Sequence, residues 1–174
     1  MNTSLYFRTA TLADAPRLVE LLNHAYRPAQ ALPRAWTHES EIIEGERINL
    51  NQMQNTIAQE GAVLLVAEQN EKIVGCVHIE NQTDCAYIGM LTVDPHIQSQ
   101  GLGKAILSYA EDYAFNTWGI RTFKMSVVET RDTLIAFYVR RGYKQTGTYM
   151  DYPMEANVGV PKSDIRLEYL IKSI

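Results

Sequence analysis

The sequence predicts an α/β (α+β) fold, a mixed and mainly antiparallel sheet flanked by helices on both faces. β-rich runs joined by short polar turns lie at residues 63–68, 72–80 and 85–93, and such a succession is typical of an antiparallel meander. A glycine-rich junction, an amphipathic stretch and another β-rich run at 122–128 follow. A strand that returns through such a crossover runs parallel to the strand before it. Both strand orientations are therefore expected in one sheet.

The N-terminal segment predicts one strand followed by one helix. Residues 5–9 form a β-rich run, and Thr11 with Asp14 resembles a capping box at a helix start. The next apolar residues recur at helical spacing and are Leu18, Leu21, Leu22 and Ala25. Two short polar helices are predicted farther on, at residues 39–44 and 50–60.

The C-terminal half predicts two more helices and two last strands. The helix after the glycine junction has an apolar face made of Leu102, Ile106, Tyr109, Ala110, Tyr113 and Ala114. The second helix has Asp132 as its predicted N-cap and ends at Gly142. Strands at 143–150 and 165–171 complete the sheet.

The composition limits the size and the partners of the protein. The 174 residues fit one domain, residues 1–174, which is long enough to bury roughly two thirds of its unfolded surface. The formal net charge of −4 leaves no basic footprint for nucleic acid and mildly favours a cationic substrate. A homodimer is left open.

The sequence also bears on compartment and on cysteine chemistry. Its longest apolar runs, such as residues 61–67, are far shorter than the ~20 residues that span a bilayer, and the N-terminus does not resemble a signal peptide. We therefore expect a cytoplasmic protein without a membrane segment. Cys76 would face Gly89 rather than Cys85 across the predicted hairpin, so two free thiols are expected. Two cysteines with no further ligands nearby predict no metal site.

The glycine-rich junction is the most informative motif. It lies between a β-rich run and a helix, where backbone N–H groups lack intrahelical acceptors and the helix dipole favours an anion. The glycine spacing fits neither a Walker loop nor a dinucleotide fingerprint. What remains is Gln-x-x-Gly-x-Gly, a candidate cradle for a phosphate or pyrophosphate.

This pattern resembles the acetyl-CoA pyrophosphate loop of the GCN5-related N-acetyltransferase (GNAT) family. Residues 127–143 are similar to the family's second signature, in which a strand, a polar turn and a helix end in an aromatic-Tyr pair, two residues, glycine and an aromatic. The order and the separation of the two motifs match. The resemblance is specific from about residue 85 to residue 143. It implies the acyl-CoA N-acyltransferase fold, with acetyl-CoA as cosubstrate.

The resemblance also assigns coenzyme contacts. It implies that the backbone of Leu91 and Val93 pairs with the amides of pantetheine, and that Arg131 faces the coenzyme arm at a position that is often Asn in the family. The implied pyrophosphate loop consists of Gln98, Ser99, Gln100, Gly101, Leu102, Gly103 and Lys104.

The implied chemistry is direct attack of an amine on the acetyl thioester. By resemblance, Tyr138 protonates the departing thiolate, and a phenol of pKa about 10 suits a leaving group of similar basicity. The oxyanion would be held by a strand N–H, that of Leu91 or a neighbour. A cysteine nucleophile is the competing route, although neither Cys76 nor Cys85 has a context that lowers a thiol pKa.

The general base departs from the family pattern. Histone-type members carry a glutamate on the fourth strand, and Tyr87 stands at that place here. Glu129 is the first candidate for the base and Glu80 the second, whereas His78, in mid-strand, has little support. A water relay would need no carboxylate.

The resulting hypothesis is an acetyl-CoA-dependent N-acetyltransferase that acts on a primary amine of a small molecule or a protein. One alternative is a non-catalytic acyl-CoA-binding regulatory module. Another is a nucleotide-binding α/β protein that uses the glycine loop for a free phosphate.

Overall fold

The computed structural model describes residues 4–27, 39, 43–97 and 101–174. Its helices and strands are, in chain order, β1 (Tyr6–Thr9), α1 (Ala15–Tyr26), β2 (Ile43–Glu44), α2 (Leu50–Ala58), β3 (Ala62–Gln69), β4 (Lys72–Asn81), β5 (Ala86–Val93), α3 (Leu102–Trp118), β6 (Thr122–Val128), α4 (Asp132–Arg140), β7 (Lys144–Asp151), β8 (Val160–Pro161) and β9 (Arg166–Ser173). In the described part of the chain, no helix is both long and apolar enough to cross a membrane.

The main sheet has seven strands in the order β1-β3-β4-β5-β6-β9-β7. Its neighbouring strands are antiparallel except for β5 and β6, which are parallel because α3 carries the chain back between them. The predicted mixed and mainly antiparallel sheet is confirmed. The short strands β2 and β8 form a separate antiparallel pair.

Both faces of the sheet are covered, as the alternation along β3 requires. Leu64 and Val66 pack in one apolar cluster with residues of α1 and α2, whereas Leu65 and Ala67 pack on the opposite face in the cluster that includes α3 and α4. The predicted helical stripe from Leu18 to Ala25 is buried in α1. The sheet is thus a fixed wall between two helical layers.

The start of the first helical segment is held by the predicted capping box. Thr11 and Asp14 form the box at a short 3₁₀ helix that leads into α1. Arg8 of β1 donates to Asp14 at 2.7 Å and to Glu68 of β3 at 2.6 Å. The Arg8 hydrogen bond lowers the pKa of Asp14 to about 2. The cap therefore joins α1 to the edge of the sheet.

Two predictions about helix ends are wrong. Residues 40–42 of the helix predicted at 39–44 lie outside the described residues, and Ile43 and Glu44 form a strand that pairs with Pro161 and Val160, more than a hundred residues away. Asp132 is the first residue of α4, and Arg131 is its N-cap. Gly142 follows α4 with a φ of 96°, as expected for the residue that ends a helix.

A β-bulge in β5 shapes the centre of the sheet. Cys76 pairs with Thr92 and His78 with Gly89, so Met90 and Leu91 together stand opposite one residue of β4. The predicted pairing of Cys76 with Gly89 is wrong, because Glu80 already pairs with Tyr87 rather than Cys85 near the turn and the bulge then shifts the register by one more residue. Met90 has a φ of 54°, and Thr92 Oγ1 donates to its carbonyl at 2.8 Å.

The parallel pair is short. β5 and β6 pair only at Ala86–Phe123 and Tyr87–Lys124 in the described ladder. Beyond Tyr87 the two strands separate, and the backbone of β5 that carries the bulge has no β6 partner. A gap opens in the sheet beside the bulge.

The Asp14 ion pair leads to a prediction about stability. Asp14→Asn keeps a capping acceptor and removes the charge, so it should lower the free energy of unfolding at pH 7 by about 0.5–1 kcal/mol. Because the folded-state pKa is lowered, this contribution is present above the unfolded pKa of about 4 and is lost as the pH falls toward about 2. Urea unfolding of both proteins from pH 7 down to pH 3 should show the difference shrinking. A difference that is constant with pH would contradict this account.

Candidate functional site

A cavity of about 310 Å³ opens where β5 and β6 separate. Its walls come from strands β4, β5, β6 and β9, from helices α1 and α4, and from the segments that follow α1 and β7. A gap between two strands exposes backbone amides, and a ligand that carries amides of its own can fill it like an added strand. The sheet provides the rigid frame for this site.

Tyr138 lies on α4 and lines the cavity. The side chain is buried, and its ring makes edge contacts with Phe137 and Tyr143 at centroid distances of 5.3 and 5.9 Å. Burial raises the pKa of Tyr138 above its usual value, and the cation of Arg131 acts in the opposite direction. Tyr138 is therefore a protonated phenol held rigidly at the cavity wall, able to donate a proton.

The glycine junction forms the start of α3. Gly101 is the N-cap with a φ of 69°, and a Cβ placed on it would meet no atom within 4 Å. Gly103 is buried in the first turn together with Leu102, and Lys104 is exposed. The first turn of α3 carries no acidic residue, so the positive end of its dipole is open to an anion. Gln98, Ser99 and Gln100 lie outside the described residues.

The predicted coenzyme contacts on β5 and α4 lie on two sides of the gap. Leu91 lines the cavity at the bulge, and Val93 is buried at the end of the same strand. Arg131 lines the cavity at the start of α4, where its Nη1 lies 3.5 Å from Glu39 Oε2. The structure thus brings Leu91, Arg131 and Tyr138 to one cavity.

Tyr26 of α1 supports the bulge. Its hydroxyl donates to the Leu91 carbonyl at 2.8 Å. Burial raises the pKa of Tyr26 to about 12, so the hydroxyl stays protonated as this hydrogen bond requires. Tyr26 is the last residue of α1, so the end of that helix reaches the bulge.

Glu129 lies away from these residues. It follows β6, and Arg166 of β9 donates to its carboxylate at 3.1 and 2.8 Å. These hydrogen bonds lower the pKa of Glu129. Glu129 is not part of the cavity wall formed by the described residues. Its role as general base stays a prediction that this placement does not favour.

Two other proton acceptors do line the cavity. Glu80 and His78 lie two residues apart on β4, so both project to the same face of the sheet. His78 Nε2 is buried and has no hydrogen-bond partner among the described residues. Burial lowers the pKa of His78, and the charge of Glu80 acts in the opposite direction. His78 is therefore neutral near pH 7 and able to accept a proton.

The other nucleophile and hydroxyl candidates have fixed roles in the packing. Burial raises the pKa of the Cys76 thiol to about 12, so a thiolate nucleophile is not favoured at this position. Cys76 and Cys85 are both free, and Cys85 is only partly buried. Tyr87 hydrogen-bonds to Ser126 across the parallel pair, and burial raises its pKa.

Sequence reasoning missed the charged residues at the outer end of the cavity. Glu39 and Arg47 both line it. Glu39 accepts from Arg27 at 3.1 and 2.5 Å, and Arg27 also donates to the Val158 carbonyl at 2.7 Å. These residues belong to loop segments without a motif, and their charge was the only signal that could have marked them.

Comparison with known proteins agrees with this geometry. Residues 16–143 match the family model described as the acetyltransferase (GNAT) family. The S-alkylcysteine N-acetyltransferase of Bacillus subtilis is 24% identical, over an alignment that covers 88% of this chain and 85% of that protein.

Solved structures with bound coenzyme share the fold. The structure of YncA from Salmonella typhimurium with acetyl-CoA has a TM-score of 0.70 at 19% identity, covering 98% of this chain and 94% of that chain. The PaiA N-acetyltransferase of Thermoplasma acidophilum, in complex with coenzyme A, has a TM-score of 0.71 at 18% identity, covering 98% and 99%. The resemblance seen in the two sequence motifs therefore extends over the whole fold.

Proposed function

Because the chain belongs to the GNAT family and is an acetyl-CoA-dependent N-acetyltransferase, we propose that it acetylates the primary amine of a small molecule bound in the cavity between β5 and β6. The observation that carries this proposal is the placement of the Tyr138 phenol in the gap where the two strands separate. The cavity volume of about 310 Å³ suits a small ligand. The name of the Bacillus subtilis relative, which specifies S-alkylcysteine, also supports a small acceptor.

Two parts of the chain would hold the coenzyme. The first turn of α3, with Gly101 at its N-cap, offers backbone N–H groups and a positive dipole end to the pyrophosphate. The unpaired edge of β5 from Leu91 to Val93 offers backbone groups to the amides of pantetheine. Arg131 would stand beside the coenzyme arm, with its charge balanced in part by Glu39.

The reaction needs one nucleophile and two proton transfers. The amine nitrogen forms a bond to the thioester carbon, and the oxyanion is held by a backbone N–H at the bulge near Leu91. The C–S bond then breaks, and the thiolate takes the proton of the Tyr138 hydroxyl. The burial that raises the pKa of Tyr138 also disfavours a free thiolate in the same cavity, which favours this transfer.

The second proton leaves the amine, and the cavity wall supports His78 and Glu80 as its acceptors. Both line the cavity, whereas Glu129 is held by Arg166 outside it. Neutral His78 can accept a proton, and the carboxylate of Glu80 stabilises the imidazolium that results. A cytoplasmic location remains a prediction from the sequence, which leaves a homodimer open.

Binding of the coenzyme by the start of α3 can be tested at Gly101. Gly101→Asp should weaken acetyl-CoA binding by at least about 10²-fold, or ~3 kcal/mol, because it places a carboxylate beside the pyrophosphate. Gly101→Asn is the matched control, since Asn has the same size and tolerates a positive φ equally well. Gly101→Asn should weaken acetyl-CoA binding by several-fold at most. Equal affinities of the two variants in calorimetric titration would rule out this position of the pyrophosphate.

The role of Tyr138 can be tested by removal of its hydroxyl. Tyr138→Phe should lower kcat by roughly 10² and leave acetyl-CoA affinity and stability nearly unchanged, because the ring still fills its place in the core. The rate should be measured with an acceptor for which chemistry limits turnover. An unchanged kcat would exclude Tyr138 as the general acid.

The identity of the base can be tested by three substitutions compared over pH. His78→Gln and Glu80→Gln should lower the plateau of kcat/KM by roughly 10². The plateau of Glu129→Gln should stay within a few-fold of the wild-type value. If His78 accepts the proton, the rise of kcat/KM should include a pKa below about 6.5 that is absent from His78→Gln. A loss confined to Glu129→Gln would instead restore Glu129 as the base. A rise that follows only the acceptor's own pKa in all variants would indicate a water relay.

A further inference from the structure

Arg47 is a cation of the cavity wall that has no neutralising partner among the described residues. It is half-buried, lines the cavity, and forms no ion pair with the described residues. The neighbouring cations differ, since Arg27 and Arg131 both lie against Glu39. A partly desolvated charge without a counter-charge is costly, so a ligand anion would be bound favourably here.

The position of Arg47 is fixed by its surroundings. Its backbone N–H donates to Asn23 Oδ1 at 2.8 Å, and Asn23 also bonds both backbone groups of Ile48. Its guanidinium carbon lies 5.4 Å from the centroid of the Tyr26 ring. Tyr26 in turn is bound to the Leu91 carbonyl at the bulge. Arg47 is therefore held one side chain away from the strand where acetyl transfer is proposed.

A negative charge reaches the cavity from the sheet. Glu80 lines the cavity from β4, and it too forms no ion pair with the described residues. The cavity thus presents a cation from the segment before α2 and a carboxylate from the sheet. A ligand that carries both an anion and an ammonium group matches this pattern, whereas a polyamine matches only half of it.

We propose that Arg47 binds the carboxylate of the acceptor, and that the acceptor is an α-amino acid whose amino group lies toward Glu80 and His78. This inference rests on the proposed function and names its substrate class. A guanidinium binds a carboxylate through two parallel hydrogen bonds, which would also orient the amine. The net charge of −4 mildly favours a cationic substrate, but surface charges are screened beyond about 10 Å. The charges of the cavity wall therefore determine which acceptor is preferred.

The test compares each amino acid with the amine that lacks only its carboxylate. Suitable pairs are S-methylcysteine with 2-(methylthio)ethylamine and leucine with 3-methylbutylamine, assayed by release of the CoA thiol. The wild-type protein should prefer the amino acid in kcat/KM by about 10²-fold or more. Arg47→Met should reduce that ratio at least tenfold, and Arg47→Lys should keep part of it. Equal use of both members of each pair by the wild type would overturn the proposal.

The matched control is Arg121→Met. Arg121 also stacks on an aromatic ring, that of Phe115 at 4.8 Å, but lies outside the cavity wall. In Arg121→Met, the ratio of kcat/KM for the amino acid to kcat/KM for the matching amine should stay at the wild-type value. A ratio that is unchanged in Arg47→Met as well would overturn the assignment of the carboxylate to Arg47. If Arg47→Met does not fold, Arg47→Gln serves in its place.

A binding measurement separates failure of this inference from failure of the proposed function. Calorimetric titration with N-acetyl-S-methylcysteine in the presence of CoA needs no turnover. Binding by the wild type that is weakened at least tenfold in Arg47→Met, but not in Arg121→Met, would support the site even if no tested acceptor were acetylated. Absence of binding to the wild type would count against the carboxylate site, while acetylation of simple amines would leave the proposed function in place.

Discussion

The separation of β5 from β6 after two paired residues is the constraint on which the site depends. The crossover through α3 makes these strands parallel, and the bulge at Met90 and Leu91 lies in the part of β5 that no longer pairs with β6. The resulting gap exposes backbone groups that a sheet would otherwise satisfy internally. It also brings Leu91 of β5 together with Arg131 and Tyr138, at and in α4, around one cavity. A continuous β5–β6 ladder would leave no space for a ligand.

Hydrogen bonds and ion pairs from distant segments keep this gap in shape. Tyr26 holds the bulge from α1, and Arg27 joins the end of the same helix to Glu39 and to the carbonyl of Val158. The side chains of Arg27 and Glu39 are only 5% and 10% exposed. Such a buried pair is costly to break on one side, because the remaining charge loses its partner. The outer wall of the cavity is thus tied to α1 rather than free to follow its ligand.

The sequence was sufficient wherever the structure depends on local pattern. The stripe of α1, the capping box of Thr11 and Asp14, the glycine end of α4 and the position of Tyr138 each follow from residues close in the chain. Features that depend on distant partners were not predictable. Met90 gives no sign that it adopts a positive φ, and strand β2 exists only because β8 pairs with it. The family match favours an N-acetyltransferase over a nucleotide-binding protein.

The central claim is that acetyl transfer takes place in the gap between β5 and β6. A crystal structure with acetyl-CoA tests it most directly. The account predicts the pyrophosphate at the first turn of α3, the thioester oxygen about 3 Å from a backbone N–H at the β5 bulge, and the sulfur beside the Tyr138 hydroxyl. Coenzyme bound away from this gap, for example with its thioester in the basic pocket formed by Lys104, Arg140 and Lys172, would contradict it.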